Sequence, residues 1–120
     1  MDLNTKTAAL VLGIVFVVVG LLGFVNNPVL GLFAVNGAHN LVHLGSGILI
    51  LAGAYTAIGA GTTLKVFGVV YALVAVLGFF QSGDMLLGLL VNNMADKWLH
   101  VLLAVVTLGA GFALPDDKTA

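Results

Sequence analysis

T-A-A-L-V-L-G-I-V-F-V-V-V-G-L-L-G-F-V, Thr7 to Val25, carries no charged side chain along its whole length. A helix of about 20 apolar residues crosses the roughly 30 Å of hydrocarbon in a bilayer. This stretch is therefore read as a spanning helix, ended by Asn26-Asn27-Pro28. The surrounding chain fits the same solvent. Of 120 residues 61% are hydrophobic and only 8% charged, with a mean hydropathy of +1.19. Water-soluble domains carry about 25% charged residues, so a hydrated surface of the usual kind is out of reach. Further apolar runs follow and need the same membrane, so the first run is expected to be retained rather than cleaved as a signal peptide.

Working outward, the second crossing is expected from about Ala38 to Ile58, the third from Leu64 to Gln81, and the fourth from Ala95 to Leu114 before Pro115. The expected fold is an all-α membrane protein of four transmembrane helices, with residues 1–120 forming a single transmembrane domain. Spanning strands are excluded, because an open sheet edge in lipid leaves backbone groups unpaired. Two apolar connections, Pro28 to Val35 and Asp84 to Val91, are too short to cross. They are expected as short helices lying at the interface or dipping back towards the bundle. An even number of crossings puts both termini on one side. Lys6, Lys65 and Lys118 fall on that side and Lys97 on the other, which places both ends in the cytoplasm.

The chain is also written twice. Shifted by 55 residues, Gly13, Phe16, Gly20, Gly23 and Phe24 meet Gly68, Tyr71, Ala75, Gly78 and Phe79. Shifted by 57, Gly31, Asn36, Ala38 and His43 meet Gly88, Asn93, Ala95 and His100, and His39 meets Asp96. The expectation is two tandem two-helix repeats, 7–58 and 64–114, in parallel orientation about an axis along the membrane normal. Gly13, Gly20 and Gly23, matched by Gly68, Ala75 and Gly78, make small faces on which helices approach closely.

The polar residues concentrate in two segments, V-N-G-A-H-N-L-V-H (Val35 to His43) and V-N-N-M-A-D-K-W-L-H (Val91 to His100). Asn36 and Asn93 are N-cap residues by type and position, and Asp96 at the third helical position can complete a capping box. Capping does not account for His43 and His100, which sit about 10 Å further along each helix. His39 with His43, and Asp96 with His100, are i,i+4 pairs on one helix face. His39, His43, Asp96 and His100 are thus candidate ligands for zinc or another borderline divalent ion. His43 and His100 are also candidate axial ligands for haem. H-x-x-x-H alone is a weak signal, and this reading favours an interhelical hydrogen-bonding network with no cofactor. Tyr71, Ser46 and Thr107 are placed to hydrogen-bond across the bundle.

Several classes are excluded. The chain has no cysteine, hence no thiolate chemistry. With four lysines, no arginine and a net charge of -1, it lacks the basic surface that nucleic acids require. No serine-histidine-acid set or paired carboxylates are present. The motifs G-x-x-x-x-x-x-G-x-x-G-F, V-N-x-x-H-N-L-V-H, G-V-x-Y and N-x-x-D-x-x-L-H resemble a family of small bacterial and archaeal membrane proteins known as a domain of unknown function. The resemblance runs from about Thr7 to Leu114 and implies four transmembrane helices, with polar positions at Asn36, His39, Asn40, His43, Tyr71, Asn93, Asp96 and His100. The resulting expectation is a non-enzymatic structural or accessory membrane protein, in a homo-oligomer or larger assembly. The alternative is a metal- or haem-binding membrane protein.

Overall fold

Asn4, Asn36 and Asn93 each turn extended backbone into a helix. Their side-chain oxygens accept from Thr7 N, His39 N and Asp96 N respectively, satisfying amides that a helix start leaves unbonded. In the computed structural model, which describes residues 2–116, four helices follow one another: α1 Thr5–Leu22, α2 Gly37–Ala54, α3 Ala60–Phe79 and α4 Met94–Ala113. The helix α1 begins two residues before the expected Thr7, because Asn4 supplies a cap. The helix α3 begins four residues before Leu64, after Gly59 turns the chain with a φ of 84°. Lys118 lies outside the described residues.

The helices pair in chain order, α1 on α2 and α3 on α4. Glycines set that approach. A Cβ on Gly13 would lie 2.7 Å from Leu51 Cγ, and one on Gly68 would lie 2.6 Å from Leu108 Cγ. At Gly20 a Cβ would meet the backbone nitrogen of Leu44 at 2.6 Å, and at Gly23 it would overlap the Asn40 side chain. Gly78 faces the Asn92 amide in the same manner, and Ala75 is buried. Between the pairs lies a core built on Phe16, Ile50, Leu64 and Tyr71.

The outer surface is apolar. Val11, Ile14, Val18 and Leu21 on α1, Val69, Leu73 and Val76 on α3, and Leu102 and Val105 on α4 are all exposed. The buried set, by contrast, includes Thr5, His39, Asn40, His43, Ser46, Asp96, His100 and Thr107. Polar inside and apolar outside is the arrangement expected of a protein solvated by lipid. This is a helical membrane protein. Three helices, rather than the expected four, are by themselves long and apolar enough to cross a bilayer: α1, α3 and α4. The exception is α2, because it holds His39, Asn40, His43 and Ser46 on its inner face.

The two apolar connections differ from expectation. Neither is a helix. Met85–Leu86 (β1) and Leu90–Val91 (β2) pair antiparallel, and Val29 pairs with Phe33 in the other connection. Each turn has two successive residues of positive φ, Leu30 and Gly31 at 54° and 73°, Leu87 and Gly88 at 53° and 69°. That backbone makes a hairpin and stops a helix. These short pairings sit at the helix ends, so they leave the argument against spanning strands intact. Asn27 closes the first hairpin, donating to Val35 O at 2.9 Å and accepting from Val35 N at 3.2 Å. In the second, Gln81 Nε2 donates to Asn92 O at 2.8 Å.

At the opposite end of the bundle Thr5 N donates to Pro115 O at 2.9 Å. The first and last helices therefore start and finish together. The histidines lie at the hairpin end, where α2 and α4 begin.

Candidate metal centre

His39 and His43 project from one face of α2, one turn apart, and His100 comes from the matching depth of α4. All three side chains are buried, at 2%, 3% and 2% exposure. Their rings form a triangle with centroid separations of 4.9 Å for His39–His43, 5.3 Å for His39–His100 and 5.8 Å for His43–His100. One nitrogen from each lies within 4.8 Å of the other two.

The tautomer of His39 follows from its neighbours. Its Nδ1 is 2.6 Å from the carbonyl oxygen of Val91, which can only accept, so Nδ1–H donates. The lone pair of neutral His39 is then on Nε2. His43 Nε2 lies 3.1 Å from it. In the absence of an ion His43 Nε2–H must donate across that gap. With the other His43 tautomer, the same two nitrogens turn two lone pairs towards one point. Two ligands on a tetrahedral zinc, at 2.0–2.1 Å each, are separated by about 3.3 Å, close to the spacing found here. A carbonyl that fixes the non-ligating nitrogen is also the usual outer support of a metal-bound histidine.

Beneath the triangle, Phe16 lies 5.8 Å from His43 and 4.9 Å edge-on from Tyr71 by ring centroids. Tyr71 is 6.0 Å from both His43 and His100. Its hydroxyl donates to Ser46 Oγ at 2.9 Å, the cross-bundle bond that the sequence positions suggested. Thr107 is buried too, with its hydroxyl lacking a partner.

A family match spans residues 6–113 and is described as Domain of unknown function (DUF4383). The chain belongs to the DUF4383 family. No curated protein and no solved structure matches it. The chemistry of this DUF4383 chain must therefore be read from its own residues.

That chemistry corrects the expectation of a cofactor-free, purely structural protein. A compact, buried set of three imidazoles able to coordinate a metal ion argues against it. The hydrogen-bonding network offered in its place is also incomplete. His43 Nδ1 and His100 Nδ1 are buried without partners, and each such orphan costs about 1–3 kcal/mol.

Of the four candidate ligands, Asp96 stays outside the triangle. Its carboxylate Oδ2 accepts from Asn93 N at 2.9 Å while Asp96 N donates to Asn93 Oδ1 at 2.9 Å. This is the capping box read from the sequence, and its other oxygen, Oδ1, is buried and unpartnered. Asn36 and Asn93 act at the caps and also reach across the molecule. Asn36 Nδ2 donates to Leu89 O and Asn93 Nδ2 to Leu32 O, each at 2.9 Å. Haem fits poorly. His39 packs beside both His43 and His100, with ring centroids 4.9 Å and 5.3 Å away, in space that a porphyrin plane between the two would need.

Sequence reading missed the Val91 carbonyl, because a backbone acceptor leaves no signature in residue type. It also passed over Asn92, which is completely buried and donates to Gln81 Oε1 at 2.8 Å. Its position directly before the Asn93 cap was the available signal.

Proposed function

We propose that this chain is a multi-pass membrane protein that binds a zinc-class divalent ion through His39, His43 and His100. The observation that carries the proposal is the buried triangle of imidazoles, with His39 already held in a ligating tautomer by Val91 O. Three neutral nitrogen donors suit zinc and its borderline neighbours better than magnesium or calcium, which prefer oxygen. The three histidines leave a fourth position for water or another small ligand. The proposal is one of binding, with no reaction attached.

The membrane setting proposed with it has four crossings. The polar residues of α2 face inward, so its outer face, with Leu41, Ile48 and Leu49 exposed, can meet lipid. We read the chain as two tandem repeats related by a rotation about the membrane normal. Support comes from the recurrence of positive φ at Leu30-Gly31 and Leu87-Gly88, 57 residues apart, and from the reciprocal bonds of Asn36 and Asn93. The prokaryotic cell membrane is proposed from the family resemblance, and both termini cytoplasmic from the lysine distribution. The metal site then lies towards the non-cytoplasmic face.

The test is elemental analysis of protein purified in mild detergent without a polyhistidine tag. About one zinc-class ion per chain is expected, lost in His43→Ala and His100→Ala. Substoichiometric metal in the wild type after zinc addition and desalting would overturn the reading.

A further inference from the structure

The three histidines are within 3% of full burial, so an ion can enter or leave only if something moves. The two hairpins stand at the same end of the bundle, where α2 and α4 begin. Val29, Val35, Leu86 and Asn92, in and beside these connections, are themselves buried, and Val91, at the foot of the second, bonds His39 directly. Three side-chain bonds hold the hairpins to the opposite half: His39 Nδ1–H to Val91 O at the inner edge, and Asn36 Nδ2–H to Leu89 O and Asn93 Nδ2–H to Leu32 O at the outer edge. Each half thus clasps the other's hairpin. The two asparagine bonds are exposed, where water competes for the same donors and acceptors.

We infer that Asn36 and Asn93 form a reciprocal clasp that keeps the hairpin roof closed over the histidines and sets the rate at which small ligands reach them. The two functions of each asparagine are on different atoms. Oδ1 caps the helix, accepting from His39 N or Asp96 N, while Nδ2 makes the clasp. Serine retains an N-cap acceptor and has no amide to reach the facing carbonyl. The pair Asn36→Ser and Asn93→Ser therefore separates gating from helix initiation. The histidines stand on α2 and α4 rather than on the hairpins, so the clasp governs exchange kinetics more than equilibrium affinity. Asn36 and Asn93 are positioning residues and touch no ion.

The inference rests on the metal reading for what enters, but the roof itself can be tested without metal. The chain has only three histidines, all in the triangle, so histidine modification by diethyl pyrocarbonate reports on this site alone. Metal-stripped N36S/N93S protein in detergent is expected to be modified roughly tenfold faster than wild type, two weak bonds being worth about that factor or more. Thr5→Val, which removes a hydroxyl bond to Asp116 at the far end, controls for general loosening and should leave the rate unchanged. Zinc release to a chelator should accelerate by a similar factor in N36S/N93S, with the zinc dissociation constant within about threefold of wild type. Equal modification rates in wild type and N36S/N93S would overturn the clasp, as would an equal acceleration in T5V. If wild-type protein binds no zinc while the modification rates differ as expected, the metal reading fails and the clasp stands.

Discussion

Tyr71 shows how one hydroxyl can be separated from the site above it. Its bond to Ser46 crosses between α3 and α2, and both groups are buried. Tyr71→Phe leaves Ser46 Oγ without its donor while keeping the ring that packs on Phe16 and the histidines. Hydrogen bonds within membranes average about 0.6 kcal/mol, with a maximum near 1.7. Thermal unfolding in detergent should therefore show a small stability loss, and zinc stoichiometry should be unchanged. Loss of the ion in Y71F would assign the phenol to the metal site. His43→Ala is the opposite case. It removes a donor whose Nε2 is 3.1 Å from His39 Nε2, so stoichiometric binding should vanish. The residue types and the i,i+4 spacing of His39 and His43 were legible in the sequence. So was the capping box that occupies Asp96; that a backbone carbonyl would orient His39 was not.

Helix packing turns on glycines that look alike in the sequence and differ in place. Gly20 faces α2, where an added Cβ would lie 2.6 Å from Leu44 N and 2.9 Å from Asn40 O. Backbone cannot swing aside as a side chain can, so Gly20→Ala must push α1 from α2. Overpacking of this kind costs about 1–3 kcal/mol. At Gly45, on α2, a Cβ would meet nothing within 4 Å. Gly45→Ala should be neutral or slightly stabilising, since alanine is the better helix former. Equal losses in the two variants, measured by thermal unfolding, would remove close approach as the reason for Gly20. The hairpins make the complementary point about elements. Their apolar composition suggested short helices, but positive φ at Leu30 and Leu87 is set by how the chain must return to the next cap. Leucine carries no sign of that requirement, although Gly31 and Gly88 beside it do.

For the whole molecule, solvent and topology give two measurements. The absence of native cysteine makes single-cysteine labelling clean. A cysteine at Asp84 should react with an impermeant thiol reagent in intact cells, and one at Thr5 or Thr62 should not. The reverse pattern would invert the proposed orientation and move the histidine site to the cytoplasmic face. Bound metal also adds stability by mass action, about 2.7 kcal/mol when the free ion is at 100 times its dissociation constant. A chelator should therefore lower the melting temperature of wild type and leave that of H43A unchanged. An equal drop in both would show that the chelator acts elsewhere.

Composition and periodicity alone determined the solvent, the helices and their caps, because these depend on local transfer energies and on contacts within a few residues. Asn36, Asn93 and the Asn93–Asp96 capping box belong to this local class. So does the small-residue face of α1. The site depended on distant parts of the chain meeting. His100 joins His39 and His43 only because α4 returns beside α2, and Val91 reaches His39 only because the second hairpin folds over the first half. The structure thereby separated three converging imidazoles from the carboxylate that shares their sequence pattern. Ligation requires nitrogens to meet within a few ångströms, and that convergence is a property of helix crossing and side-chain direction that residue spacing along one helix does not contain.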